Sequence, residues 1–287
     1  MDQNKISIIV VSYNTRELTR KCLAAILASA FAPQEIIVAD NNSQDDSVEM
    51  IRNDFPNVKL IINNENLGFA KANNQAIATA GGDYIFLLNS DTEIGKNTLQ
   101  QMFDYLEHNS QVAGVVPQLI YPDGSWQSVG GYFPTILNVL RYLLPITFFF
   151  PEFAKKKLKD MAIFRQEIPD KGMRLDYITG AAAMFRKAVL DRVGFLGEEY
   201  FMYFEETDLC WRINRAGYKL MAIKTEPMVH VYGGSYKSRH DPERLKMFLQ
   251  SLRIFVKKNY GGFKKRMILF EILLLGKLSL KIKNLKQ

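Results

Sequence analysis

The stretch ISIIVVSYNTRELTRKCLAAILASAFAPQEIIVADNNS, residues 6–43, decides the fold. Its two short β-branched runs, Ile6–Val11 and Glu35–Asp40, read as strands buried on both faces. Between them Leu18, Cys22, Ile26 and Ser29 recur at near-helical spacing, and Asn14 followed by Glu17 has the form of a capping box. Strand, helix and strand in that order predict a parallel pair joined by a crossover helix. The rhythm continues outward through Val58–Ile62 and Asp83–Leu88. The loops NNSQDDS, NNENLGF and NSDTEIG that follow the later strands are rich in Asn, Asp, Ser and Gly, and open α/β sheets bind ligands at that edge.

Past these four runs the pattern loosens. A helix is expected over Asn97–His108, a PDG turn at Pro122–Gly124 and strands near Val112 and Ile178. A basic run KKKLK occupies Lys155–Lys159. Further on a helix spans about Glu205–Ala216 and ends at Gly217, a strand spans Lys219–Lys224, and a long helix runs from Pro242 to Tyr260. The second half therefore reads α+β, with no internal repeat and no linker long enough to separate domains.

The chain has 287 residues, 47% apolar and 23% charged, which is a folded globular composition and excludes disordered, collagen-like and low-complexity classes. The net charge of +7 is uneven. Residues 257–287 hold nine Lys or Arg against one acid, net +8, so residues 1–256 hold 28 basic against 29 acidic groups, net −1. A basic end with apolar residues between its charges suits an anionic membrane surface at least as well as nucleic acid. Cys22 and Cys210 lack metal-site spacing, and no disulfide framework is implied. The N-terminal apolar run reads as a strand rather than a signal peptide, which places the expected location in the cytoplasm. Leu137–Phe153 is broken by Arg141 and Pro145, and Met267–Leu275 is too short, so neither is expected to span a bilayer.

Four acidic or imidazole positions stand where strands or helices end: Asp40, Asp91, the cluster Glu205, Glu206 and Asp208, and His230. An acid just past a buried strand points to the sheet-edge crevice, where carboxylates hold divalent cations or accept from a base or ribose. Each also has a plain structural reading. Asp40 can cap its turn, NSD is a common turn, acids at a helix start complement the dipole, and a histidine at a strand end often only packs.

IIVVSYN, IIVADNNSQDDS, NLGFAKANNQAI, LLNSDT, GAAAMFRKAVLDRVGFLGEEYFMYFEETDLCWRINRAGYK and VHVYGGS, in that order, resemble family 2 glycosyltransferases of the rhamnosyltransferase-like group over about residues 5–235. The resemblance implies a GT-A fold: a Rossmann-like, mostly parallel N-terminal sheet, a mixed α+β acceptor half and a C-terminal helical basic tail. Residues 1–240 would form the transferase domain, with the donor half at about 1–110 and the acceptor half at 111–240, and 241–287 a membrane-proximal extension. A nucleotide-diphosphate sugar, Mn2+ or Mg2+, and inversion at the anomeric centre are implied with it.

Carried over to this chain, Asp40 matches the acid that accepts from the N3–H of uracil or thymine, with Val11, Ser12, Tyr13 and Asn14 as the other wall and Asn42 beside it. Asn89, Ser90 and Asp91 match the metal motif in its Asn-x-Asp form, with Asp91 the ligand and His230 completing the shell. NLGFAKANNQAI supplies a helix start and loop beneath the donor, with Gly68 permitting a tight approach and Asn73 and Asn74 available to sugar or ribose. Gly180 lets backbone lie close to sugar or acceptor, although the alanines after it are explained by packing. In the acidic cluster Glu206 takes the place of the catalytic base, with Glu205 and Asp208 as alternatives and Glu205 also at the acceptor. Half of Tyr200, Phe201, Tyr203 and Phe204 are expected in the core and half as an acceptor platform.

The resulting expectation is a metal-assisted inverting transferase that moves a sugar, rhamnose favoured, from a UDP- or dTDP-sugar to a hydroxyl of a cell-surface or lipid-linked glycan. It would sit at the inner face of the membrane through its basic tail, which also suits a homo-oligomer contact, and would bind no nucleic acid. Two rivals stand at this point. A sugar-nucleotide nucleotidyltransferase would normally carry a glycine-rich basic loop, and VSYNTRELTR has no glycine. An inert membrane- or nucleic-acid-binding module has no need of acids at Asp40, Asp91 and Glu206 together.

Overall fold

Parallel pairing of β1 (Ile6–Ser12) with β2 (Glu35–Asp40) on one side and β4 (Tyr84–Asn89) on the other forms the centre of the molecule. The computed structural model describes residues 5–134, 167–231, 242–263 and 265–270. The basic run 155–159, the apolar stretch 137–153, the expected boundary at 240/241 and the tail beyond 270 lie outside the described residues. Ser12 pairs with Asp40 and Val11 with Asn89, so three strands end together and release their loops on one edge.

The sheet grows outward from this centre. α1 (Arg16–Leu27) is the expected crossover, and its Thr19, Cys22, Leu23 and Ile26 face the core. The expected capping box does not form. Asn14 is in the left-handed region, where its Oδ1 accepts from Gln44 N–H and its own N–H donates to Ser43 Oγ. The orphan N–H of Arg16 is instead satisfied at 2.8 Å by Asp45 from the loop after β2. α2 (Ser47–Asp54), β3 (Lys59–Ile62) and α3 (Gly68–Thr79) complete the N-terminal half. α3 begins at Gly68, within the segment where the sequence places a helix start and loop.

In the second half, β6 (Val112–Val116), β9 (Met173–Leu175), β11 (Ala182–Arg186) and β12 (Lys219–Ala222) extend the sheet to eight strands in the order β3-β2-β1-β4-β11-β6-β12-β9. β11 runs antiparallel between β4 and β6. Its Ala182 and Ala183 are wholly buried there, consistent with a packing role for the alanines. Because β11 enters from the opposite direction, its first residues arrive at the edge where β4 leaves, and Asn89 N–H donates to the Ala181 carbonyl at 2.9 Å. A smaller sheet places β13 (Met228–His230) between β5 (Thr92–Glu93) and β7 (Leu119–Ile120), with His230 opposite Thr92. A two-stranded pair, β8 (Gly130–Gly131) with β10 (Tyr177–Ile178), and the helices α4 (Thr98–His108) and α5 (Lys187–Val193) complete this half.

A second core joins α6 (Glu205–Arg215) to α7 (Pro242–Asn259). Tyr200 and Phe204 pack there with Leu249, Leu252, Phe255 and Tyr260, each fully buried side chain of this size contributing about 1.5–3 kcal/mol. Asp208, with no exposed surface, is the polar link between the helices. Its carboxylate accepts from Asn259 Nδ2 at 2.8 Å, Lys258 Nζ at 2.9 Å, Arg212 Nε at 3.1 Å and Tyr200 Oη at 3.3 Å. Burial works to raise its pKa, but the bonds from Asn259 and Lys258 and the charges of Arg212 and Lys258 outweigh it, so the carboxyl titrates below its ordinary value.

Asp208→Ala is expected to cost about 1–3 kcal/mol in chemical denaturation, because donors on both helices lose their shared acceptor. The folded pKa is depressed, so the stabilisation is present above the ordinary carboxylate range and is lost as pH falls through the folded value. An acid titration of stability is expected to lose that step in Asp208→Asn.

Candidate active site

The common edge opens into a cleft of about 530 Å³. β1 contributes Val11 and the turn after it the exposed Tyr13; β4 contributes Asn89 and the residues just past it Ser90 and Asp91; and the approach to β11 contributes Thr179, Gly180 and Ala181. His230 enters from β13, Gly68 and Phe69 from α3, and Phe201, Met202, Tyr203, Glu205 and Glu206 from the entrance of α6. The structure thus brings together twelve of the residues singled out by sequence: Val11, Tyr13, Gly68, Asn89, Ser90, Asp91, Gly180, Phe201, Tyr203, Glu205, Glu206 and His230.

Others lie off the cleft for identifiable reasons. Ser12 is buried with its hydroxyl against Thr15 and Thr19. Asn14 is taken up by the neighbouring loop, and Asn42 is exposed with its Oδ1 accepting from Gln44. Asn73 donates back to the Phe69 carbonyl within its own helix, and Asn74 ties α3 to Leu196 and Glu198. Asp208 faces α7. Asp40 is wholly buried at the end of β2. Its Oδ1 caps the turn by accepting from Ser43 N–H at 2.9 Å, while its Oδ2 finds no partner among the described residues. The turn cap and an oxygen without a partner among the described residues therefore coexist in one side chain.

Two residues that sequence reading missed, Asn41 and Asn66, also line the cleft. Asn41 donates to Asn66 Oδ1 at 3.3 Å and to the Gly68 carbonyl at 3.2 Å, and accepts from Asn63 Nδ2 at 2.9 Å. This amide chain joins the loops after β2 and β3 across 22 to 27 positions of sequence, so no local signal marks it beyond the Asn content of the loops. The aromatic segment divides evenly: Tyr200 and Phe204 are core, and Phe201 and Tyr203 reach the cleft.

Two electrostatic features stand out. Asp91 and His230 are both nearly buried, with Oδ1 and Nε2 3.2 Å apart, and Asn89 Nδ2 is 3.4 Å from the same ring nitrogen. That separation matches neighbouring ligands on an octahedral cation with bonds of about 2.1 Å, so the pair fits two ligands of a divalent ion. Among the described residues no three His, Cys, Asp or Glu side chains converge on one point. An ion here would draw its remaining ligands from water and phosphate oxygens, which is how Mg2+ is commonly held.

The second feature is the start of α6. Glu205 and Glu206 each keep one carboxylate oxygen without a partner among the described residues. Burial, and then the charge of Glu206, hold the Glu205 carboxyl well above its ordinary value. Burial pushes Glu206 up to about 7, against its backbone hydrogen bonds. A carboxylate with that proton affinity in a cleft is suited to general-base chemistry near neutral pH.

Tyr203 and Phe204, just before α6, both adopt φ of 69°. For bulky residues this costs on the order of 1–2 kcal/mol each. Phe204 is held by Phe248 and Phe255, with ring centroids at 5.2 and 5.4 Å, and Ser251 Oγ donates to the Met202 carbonyl at 2.8 Å. α7 therefore holds the segment that presents Glu205 and Glu206.

A family model described as glycosyl transferase family 2 matches residues 7–194. The chain is similar to N-acetylglucosaminyl-diphospho-decaprenol L-rhamnosyltransferase of Mycobacterium tuberculosis, 23% identical over 90% of this chain and 86% of that protein. It is also similar to poly-beta-1,6-N-acetyl-D-glucosamine synthase of Staphylococcus aureus, 26% identical over 82% of this chain and 52% of that protein. Among solved structures, mannosyltransferase PcManGT from Pyrobaculum calidifontis, in complex with GDP-Man and Mn2+, aligns with a TM-score of 0.59 at 16% identity, covering 98% of this chain and 73% of that one. TarS of S. aureus aligns with a TM-score of 0.54 at 17% identity, covering 94% and 70%. The α/β architecture, with its mostly parallel central sheet, is that of the GT-A glycosyltransferases.

Gly68, at φ +80°, is where α3 meets the α6 entrance, and a Cβ there would stand 2.8 Å from the Phe201 carbonyl oxygen. Gly68→Ala is expected to lower stability by more than about 1 kcal/mol, measured by chemical denaturation.

Proposed function

We propose that this chain, which belongs to glycosyl transferase family 2 and is a glycosyltransferase, moves a sugar from a UDP- or dTDP-linked donor to a hydroxyl of a lipid-linked or cell-surface glycan, with inversion. The observation that carries this reading is the sharing of one cleft by the Asp91–His230 pair and the partly unpaired Glu205 and Glu206. Membership of the family sets aside the nucleotidyltransferase and inert-module rivals. Rhamnose is the favoured sugar, supported by the name of the mycobacterial relative.

In this reading the nucleotide lies along the ends of β1, β2 and β4. Asp40 Oδ2, buried and without a partner among the described residues, accepts the N3–H of uracil or thymine, a donor that cytosine lacks. Asp91 and His230 hold Mn2+ or Mg2+, and the ion when bound neutralises charge on the departing diphosphate. Asn89 supplies an amide to the same place, bearing on ribose or water. Ser90 is pinned by its hydroxyl bond to Thr15 at 3.0 Å. Gly180 keeps the wall flat beside the sugar: a Cβ there would stand 3.3 Å from Phe69 and 3.7 Å from the Glu206 Cβ.

Glu206 takes the proton from the acceptor hydroxyl as the oxygen attacks the anomeric carbon, and no covalent enzyme intermediate is needed. Glu205, whose proton affinity is raised by burial and by the charge of its neighbour, stands beside it at the acceptor. Phe201 and Tyr203 offer ring faces at the mouth of the cleft. The basic C-terminal extension brings the enzyme to the inner membrane surface, a reading supported by Phe263 and Phe270, 74% and 58% exposed beside Lys265 and Arg266. No helix among the described residues is long and apolar enough to cross a membrane.

The direct test is nucleotide release from a panel of sugar nucleotides with Mn2+ or Mg2+, with and without EDTA. Release from one UDP- or dTDP-sugar is expected, abolished by EDTA and in Asp91→Ala together with metal-dependent donor binding. Activity indifferent to both treatments would remove the metal assignment. Glu206→Gln is expected to bind donor normally while turnover falls by about 10²–10⁴-fold. Because the base must be ionised, wild-type turnover should rise with pH up to about 7 and then level. An acid limb that survives unchanged in the residual activity of Glu206→Gln would assign the base elsewhere.

A further inference from the structure

The PDG turn has a use that the transfer chemistry above does not cover. It closes a tight hairpin after β7. Tyr121 N–H donates to the Ser125 carbonyl at 2.8 Å, Gly124 N–H to the Tyr121 carbonyl at 2.9 Å, and Asp123 Oδ1 accepts from Ser125 N–H at 2.9 Å. The returning strand bridges Ile120 with Trp126, and Gln127 N–H donates to the Leu119 carbonyl at 2.9 Å. Since β7 pairs in parallel with β13, Met228 to Leu119 and Val229 to Ile120, the hairpin delivers Gln127 to His230. Gln127 is 3% exposed.

We propose that Gln127 is a positioning residue that keeps the imidazole proton of His230 on Nδ1, leaving the Nε2 lone pair aimed at the point shared with Asp91. The proposal rests on the metal reading given above. The orientation of the glutamine amide follows from its neighbours. Its Nε2 donates to the carbonyls of Ile120 and His230, which can only accept, so Oε1 is the atom 2.9 Å from His230 Nδ1. An acceptor at that distance requires N–H on Nδ1, and a neutral imidazole then carries no proton on Nε2. That nitrogen lies 3.2 Å from the Asp91 carboxylate.

Without the glutamine, the carboxylate is the stronger acceptor beside the ring and draws the proton to Nε2, where it blocks coordination. Outer partners of this kind are typically worth 10–100-fold in metal affinity. Gln127 does this at a distance from the sugar, since it does not line the cleft.

The test begins with metal-free protein at pH 8, reading the His230 tautomer by long-range ¹H–¹⁵N correlation, assigned with His230→Asn. The wild type is expected to be the Nδ1–H tautomer. Gln127→Met, which keeps the volume and removes the amide, is expected to shift the ring to Nε2–H and to weaken Mn2+ binding, read from the free-ion EPR signal, by about 10–100-fold. A wild-type ring carrying its proton on Nε2, or on both nitrogens, would overturn the proposal even if no variant folds. So would a Gln127→Met protein with the wild-type tautomer and Mn2+ midpoint. Failure of the wild type to bind Mn2+ would count against the metal reading alone, and the tautomer would still decide the role of Gln127.

Discussion

The register of three neighbouring strands is the constraint on which the rest of the molecule depends. Pairing Ser12 with Asp40 and Val11 with Asn89 fixes where three loops begin, and a one-residue slip would turn every side chain in the strand to the other face. The apolar runs resist such a slip because both faces of the sheet are covered. Ile8, Ile9, Ile37, Val38, Phe86 and Leu87 are all buried to within 1% exposure. Once that edge is fixed, the antiparallel entry of β11 and the short β5–β13 pairing bring Gly180 and His230 to it, from sequence positions 91 and 141 residues beyond Asn89.

The turn of α6 shows how neighbouring acids acquire opposite chemistry. Glu205, Glu206 and Asp208 share one helix start and one dipole, yet their pKa values move in opposite directions. Position on the helix decides this. Residues one and two positions before Thr207 face the cleft, where each carboxylate keeps an oxygen without a donor among the described residues, whereas Asp208 faces α7 and collects four. Burial works to raise all three, and the supply of donors and cations separates the carboxyls that titrate above their ordinary value from the one that titrates below it. The same donors fasten α7 against the segment bearing the other two acids, so Asp208 supports the cleft without entering it.

Local patterning carried most of the architecture. The β-branched runs and the spacing of Leu18, Cys22 and Ile26 were sufficient for the central strands and α1, because burial on a parallel sheet imposes exactly those periodicities on the chain. The capping of α1 was not legible, since the acceptor for its first N–H, Asp45, lies 29 positions away and its choice over Asn14 depends on how two loops meet. The amide chain of Asn41, Asn63 and Asn66 was hidden for the same reason. The even division of Tyr200, Phe201, Tyr203 and Phe204 between core and cleft was anticipated in number. Which ring goes where is set by the left-handed backbone at Tyr203 and Phe204, and no composition rule marks that for aromatic residues.

Backbone strain and the cleft occur together. Among the described residues, the non-glycine positions at positive φ are Asn14, Asn42, Asp46, Tyr203 and Phe204. Three follow β1 or β2 and two precede α6, so all sit where loops turn at the common edge. Asn and Asp tolerate this conformation through their own short hydrogen bonds, as Asn14 and Asn42 do with Gln44. Phe204 is held instead by packing against α7. The strained turn lifts Glu205 and Glu206 toward the cleft while Phe204 is driven into the second core, so the energy that α7 contributes by burying Phe204 is the energy that keeps the two acids in place.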